Sequence, residues 1–163
     1  MNAPRIALNP RARQWIKVGA DGSHYPPGDT RTDHVAAIDV ATGRMYCVTS
    51  LGESDDAPDE TMTQQQCIER CQGFRLLGFD DWALASRNEA AWIIADAHRA
   101  PAVDTNIFPA IKPNWHWTST ALMNRDGTAS ASGAWIVYFS NGFVDLNPRY
   151  GNGFALAVRR IGQ

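Results

Sequence analysis

The chain has 163 residues, is 44% hydrophobic and 20% charged, and carries a formal net charge of -2 at pH 7. That length suits one compact domain with an appended arm, and the apolar fraction excludes wholesale disorder. No run of about 18 apolar residues occurs, so membrane insertion is not expected, and a chain without a basic excess is not expected to take nucleic acid as its partner.

The opening residues, Met1 to Arg5, lack the apolar core of a secretory signal, so export by that route is not expected. Residues 1–33 contain Pro4, Pro10, Pro26 and Pro27 and show no sustained apolar period. Proline fixes φ and removes a backbone donor, which predicts an extended or looped arm. The arm is basic at its start, and Arg5, Arg11, Arg13, Trp15 and Lys17 are its candidate assembly contacts. Two readings stand side by side: a solvated tail, or an arm that docks on an acidic neighbour. The folded domain is then expected over residues 34–163.

Val35 to Val40 and Arg44 to Ser50 are apolar or β-branched runs joined by Ala41-Thr42-Gly43. A short connection ending in glycine predicts a hairpin, because glycine accepts the left-handed conformation. Glu53 to Glu60 gathers acids around Pro58 and is expected to be an exposed, solvated loop. Thr61-Met62-Thr63-Gln64 has the form of a capping box, predicting a helix from there to Gln72 with Gly73 as its stop. Cys67, Ile68 and Cys71 form its inward stripe. Ser86-Arg87-Asn88-Glu89 is a second box, and Ala90, Ile93, Ile94 and Ala97 continue it as an amphipathic helix to about His98.

Pro101 to Pro113 is expected to be a long connection. Short strand-like runs follow at Trp115–Leu122, Ala134–Phe139, Phe143–Leu146 and Phe154–Ile161. Alternation puts Trp135, Val137 and Phe139 on one face of the second run and Ile136 and Tyr138 on the other. Ser140-Asn141-Gly142 turns the chain between the second and third. The order of elements reads as α+β: an early hairpin, two helices, then an antiparallel meander.

Cys47, Cys67 and Cys71 are odd in number and are read as small buried hydrophobes of a chain folded in a reducing compartment. No Cys or His follows at zinc-finger spacing. The six tryptophans predict a core built on large rings, with room for a stacking surface among them. Asp80 and Asp81 are adjacent and therefore cannot share a proton on a strand. His116 is the best single acid–base candidate, yet no Ser or Asp partners it at a recognisable spacing. No nucleophile elbow, phosphate loop, zincin or dinucleotide motif occurs. Asp145 and Asn147 could offer oxygens to calcium, but no calcium-lectin ligand run is present, so neither a required metal nor a cofactor is expected.

Five segments occur in a telling order: Gly78-Phe79-Asp80-Asp81-Trp82, Pro101-Ala102-Val103-Asp104 through Phe108-Pro109, Trp115-His116-Trp117-Thr118-Ser119-Thr120, Ala134 through Gly142, and Val158-Arg159-Arg160. Together they resemble the bacterial and phage family named after the C-terminal domain of the Legionella collagen-like adhesin, over about residues 35–163. The resemblance implies a C-type-lectin-like fold whose loop-rich half presents a binding surface, and no enzymatic activity. The ending is also similar to the variable ligand-binding domains of diversity-generating retroelements, some of them on phages. Carried over by position, it implies ligand contacts at Tyr138, Asn141, Phe143, Asp145, Asn147, Arg149, Tyr150 and Asn152, with Trp135 in the core. The chain departs from the family pattern at Trp82-Ala83-Leu84-Ala85-Ser86, which lacks the usual Arg and Pro, and at Ala157, where many members carry cysteine. The lead expectation is a phage virion component made in the host cytoplasm. It would sit at the tail tip, baseplate or fibre, in an oligomer with other subunits, and touch a host glycan or protein. A bacterial cell-surface adhesin and a purely structural assembly protein are the alternatives.

Overall fold

The structure, a computed structural model, describes residues 13–161. Among these, ten strands form two sheets accompanied by two helices, so the class is α+β with strands predominating. The first sheet contains β1 (Trp15–Val18), β2 (His24–Tyr25), β3 (Ala36–Asp39), β4 (Arg44–Cys47), β5 (Ala83–Leu84) and β10 (Ala157–Arg160), in the order β2-β1-β3-β4-β10-β5. The second contains β6 (Trp115–Met123), β7 (Ala129–Tyr138), β8 (Phe143–Pro148) and β9 (Phe154–Ala155), in the order β8-β7-β6-β9. Its pairs are antiparallel except β6–β9.

The expected β3–β4 hairpin is present, and Gly43 turns it at φ 68°. Both faces of the central strands are covered. Ile38, Met45 and Ile136 belong to one buried cluster and Ala37, Tyr46 and Val137 to the other. Helix α1 (Gln64–Gln72) seals the first cluster with Cys67 and Cys71. Helix α2 (Arg87–Trp92) and the irregular chain through Ile111 seal the second. Burial on two faces explains why the strands read as continuous apolar runs.

Three expectations need correction. The N-terminal segment is extended but not wholly separate from the domain: Trp15–Val18 is β1, paired in register with β3 from Trp15↔Asp39 to Val18↔Ala36. Trp15 is buried edge-on between Tyr46 and Phe108, with ring centroids 5.7 and 5.1 Å away. Lys17 is buried too, its ammonium donating to the Arg31 carbonyl and to Asn106 Oδ1. Burial lowers its pKa, with Asp29 and Asp104 opposing the shift. Neither residue is placed to be a free assembly contact. Arg13 stacks on Trp92 at 4.4 Å and donates to the Trp92 carbonyl, while Arg5 and Arg11 lie outside the described residues.

Second, α1 is capped by Thr63, not Thr61: Thr63 accepts from the Gln66 backbone and the Gln66 side chain accepts from the Thr63 backbone. Met62 is held extended by reciprocal backbone bonds with Gly153, so the helix cannot begin before it. Third, α2 is capped by Ser86 and Glu89 as expected but stops at Trp92. Beyond it the Ala95 N–H turns to the Ala102 carbonyl, 2.9 Å away.

Candidate functional site

The three longest strands of the second sheet place the predicted contacts. In register, Trp115, Tyr138 and Phe143 form one cross-strand row and Trp117, Ile136 and Asp145 the next. Alternation puts both rows on the same sheet face. Trp117 and Ile136 are buried under α1 and the returning chain, whereas the Trp115 row emerges at the rim. Trp115 and Tyr138 stack face to face, with centroids 4.5 Å apart and planes 13° from parallel. Phe143 follows with 68% of its surface exposed.

The loop after β8 closes over the far end of this face. The Trp117 indole N–H donates to the Met62 and Gly151 carbonyls, each at 3.2 Å. A side chain at Gly151 would meet the Asn147 amide at 2.7 Å, so glycine lets the loop lie on β8. Tyr150 is thereby carried to the tip, 83% exposed, and Asn152 is exposed beside it.

Strand β8 is a sheet edge with a blunted backbone. Asp145 Oδ1 accepts the Leu146 N–H at 2.7 Å, and Pro148 has no donor to offer. Asn141 Oδ1 accepts the Phe143 N–H at 3.0 Å, fixing the turn where Gly142 has φ 83°.

Of the eight nominated contacts, Phe143, Asp145, Tyr150 and Asn152 are exposed, and Tyr138, Asn141 and Asn147 are half-buried supports around them. Arg149 is occupied: its guanidinium donates to the Gly133 carbonyl at 3.1 Å and to the Ser130 carbonyl at 2.6 Å, tying the loop to β7. Trp135, expected in the core, is half-buried on the opposite face beneath the Arg87 guanidinium, 4.5 Å from its ring. Trp117 takes the core place. Trp115 was missed as part of the surface, although its pairing with Tyr138 follows once the β6–β7 register is known.

His116 does have a partner that sequence spacing hides. Ser50 Oγ lies 2.6 Å from its Nε2, while its Nδ1 lies 2.9 Å from the Asn114 carbonyl. A carbonyl only accepts, so Nδ1 carries the proton, Nε2 accepts from Ser50, and Ser50 accepts from the Lys112 N–H at 2.9 Å. The arrangement has the form of a nucleophile–base pair, but Ser50 is 2% and His116 0% exposed. Burial holds the imidazole pKa down at about 4. The pair therefore works as a closed hydrogen-bonded unit of the core.

Asp81 binds Arg159 through two bonds of 2.6 and 3.1 Å, and this hydrogen-bonded guanidinium lowers its pKa. Its neighbour Asp80 takes no part in that pair. Cys47, Cys67 and Cys71 are free and buried. Desolvation raises all three thiols, Cys47 to about 11 and Cys71 to about 12, so none is a nucleophile at neutral pH. In the acidic loop, Asp55 pairs with Arg70 at 2.6 Å and Asp59 with Lys112. Among the described residues no group of three or more acidic, Cys or His side chains is arranged to hold a metal. No helix among them is long and apolar enough to cross a membrane.

A family model described as the Lcl C-terminal domain matches residues 30–159. No curated protein matches the chain.

Proposed function

The chain belongs to the Lcl C-terminal domain family, and from that premise we propose that it is a non-enzymatic binding module built into a phage particle, at the tail tip, baseplate or fibre. Family membership itself gives the coarser part, an adhesin-like binding module. One observation supports binding through this face: Phe143 at 68% and Tyr150 at 83% exposure stand with Trp115, Tyr138, Asp145 and Asn152 on β6–β8 and the loop that follows, next to the buried Trp117 and Ile136. Rigid rings on a rigid sheet supply contact area at low entropic cost, and amides adapt their hydrogen bonds to what is presented. A loop-bordered face of this kind supports a C-type-lectin-like reading of the fold.

Three further features fit. The Ser50–His116 pair is sealed from substrate, which supports binding without turnover. Three unpaired, buried thiols suit assembly in a reducing cytoplasm before incorporation into a particle. The partners are neighbouring subunits of an oligomer and a glycan or protein on the host surface, with no cofactor required. Co-sedimentation of the chain with purified particles is the expected result, and its recovery only in the bacterial envelope would overturn the virion assignment.

A second reading, a bacterial surface adhesin, is favoured by the family match itself. It predicts that envelope recovery and uses the same face.

A further inference from the structure

The irregular connection that leads into β6 is fastened at both ends by buried histidines. His34 is 3% exposed, and its Nε2 lies 2.7 Å from the Ile107 carbonyl. His116 is fully buried, and its Nδ1 lies 2.9 Å from the Asn114 carbonyl. A carbonyl only accepts, so each neutral ring spends its one proton on the connection and turns a bare nitrogen inward. At His116 that nitrogen accepts the Ser50 hydroxyl; at His34 it is buried with no partner among the described residues. From this geometry we infer that the two histidines form an acid-sensitive latch: neutral, they hold residues 104–114 against the domain, and protonated, they release that connection before the rest unfolds.

A second proton has no acceptor at either ring. At His34 it would create a buried, unpaired N–H near Lys17, whose ammonium holds the adjoining Asn106 at 3.2 Å. Burial keeps the His34 pKa below the ordinary histidine value, and Lys17 and Arg31 act in the same direction. The Ile107 carbonyl and Asp33 oppose them, while Asp29 and Asp104 act on Lys17 itself. At His116 the new N–H would make Ser50 an acceptor twice over, from Nε2 and from the Lys112 N–H, leaving its hydroxyl proton unpaired. The rings of Phe139 and Phe154 close the other sides, and Lys112 is the charged group that opposes protonation there. Once released, both rings titrate near 6.5. The latch is therefore at full strength above about pH 6.5 and weakens as pH falls towards 4. Its far end reaches the surface row, since the Asn114 carbonyl also takes the Phe139 N–H at 3.2 Å and Asn114 precedes Trp115.

The test is hydrogen exchange of the full chain at pH 7 and pH 5, read by mass spectrometry and corrected for the intrinsic pH dependence of exchange. The bonded amides of Ile107, Phe108, Ala110 and Lys112 report on the connection, and those of β3 and β4 report on the whole domain. The connection should be less protected than β3 and β4 at both pH values and should lose about tenfold or more of its protection between them. In His34→Gln the side-chain amide can still donate to the Ile107 carbonyl but stays neutral, so the loss should shrink by about threefold or more; His116→Gln is the second variant and should shrink it likewise. Protection that does not change with pH overturns the inference. So do connection amides as protected as those of β3 and β4, because nothing then opens short of the whole domain. A folded His34→Gln that keeps the wild-type loss overturns it as well.

Discussion

His116 shows how completely a single environment can redirect a residue. Between two tryptophans it reads as a potential acid–base group, yet its ring is closed in by Ser50, the Asn114 carbonyl and the edges of Phe139 and Phe154. Its folded pKa of about 4 lies below the roughly 6.5 of an unfolded histidine. The unfolded chain therefore binds a proton between these values that the folded chain does not. The stabilisation from keeping the ring neutral is fully present above about pH 6.5 and lost as pH falls towards 4, a change on the order of 3 kcal/mol. Denaturant unfolding of the wild type should show that decline, and His116→Gln should flatten it; an unchanged pH profile in the variant would contradict this account of the site. Ser50 could not be found from sequence, because it lies 66 positions away and only the fold brings it within 2.6 Å.

At the scale of elements, local rules narrowed the possibilities and tertiary contacts chose among them. Thr61-Gln64 and Thr63-Gln66 both satisfy the capping-box spacing, and the bridge between Met62 and Gly153 selects the second. Thr63→Ala should therefore cost about 1 kcal/mol in thermal or denaturant unfolding and Thr61→Ala almost nothing; the reverse order would place the helix start where the sequence alone suggested. The Ser86 box was legible because nothing competes with it, and Glu89 is further fixed by Arg44 at 2.6 Å. The end of α2 was not legible. Ile93 and Ala97 continue a helical period, but Ile93 is buried by the irregular chain that turns back at Ala95. Strand β1 was hidden for another reason: four residues with a lysine among them carry too little pattern, and a buried Lys17 is tolerated because the Arg31 carbonyl and Asn106 Oδ1 accept hydrogen bonds from its ammonium.

Across the whole molecule, two buried clusters share the central strands, so both sides of the first sheet must be sealed for either to hold. Trp15 shows what the N-terminal segment contributes, since it closes the second cluster against Tyr46 and Phe108. Trp15→Ala should destabilise the domain by about 3–5 kcal/mol in equilibrium unfolding; a loss within a few tenths of a kcal/mol would return this segment to the status of an appendage. The same architecture separates scaffold from surface: Phe143 and Tyr150 support no core and are free to vary without loss of fold. The β7–β8 hairpin was legible from the strand-like runs and the Asn-Gly turn, whereas its contact positions came from the family resemblance, since alternation does not sort exposure on a strand open on both faces. The loss of Arg149 to the β7 backbone and the gain of Trp115 were not, because both depend on where the returning loop and the neighbouring strand come to rest. The most direct measurement is binding of the labelled chain to host cells, wild type against a Tyr138→Ala/Phe143→Ala/Tyr150→Ala variant of matched melting temperature. The account predicts that the variant loses binding about a hundredfold or more, whereas equal binding by the two proteins would contradict it.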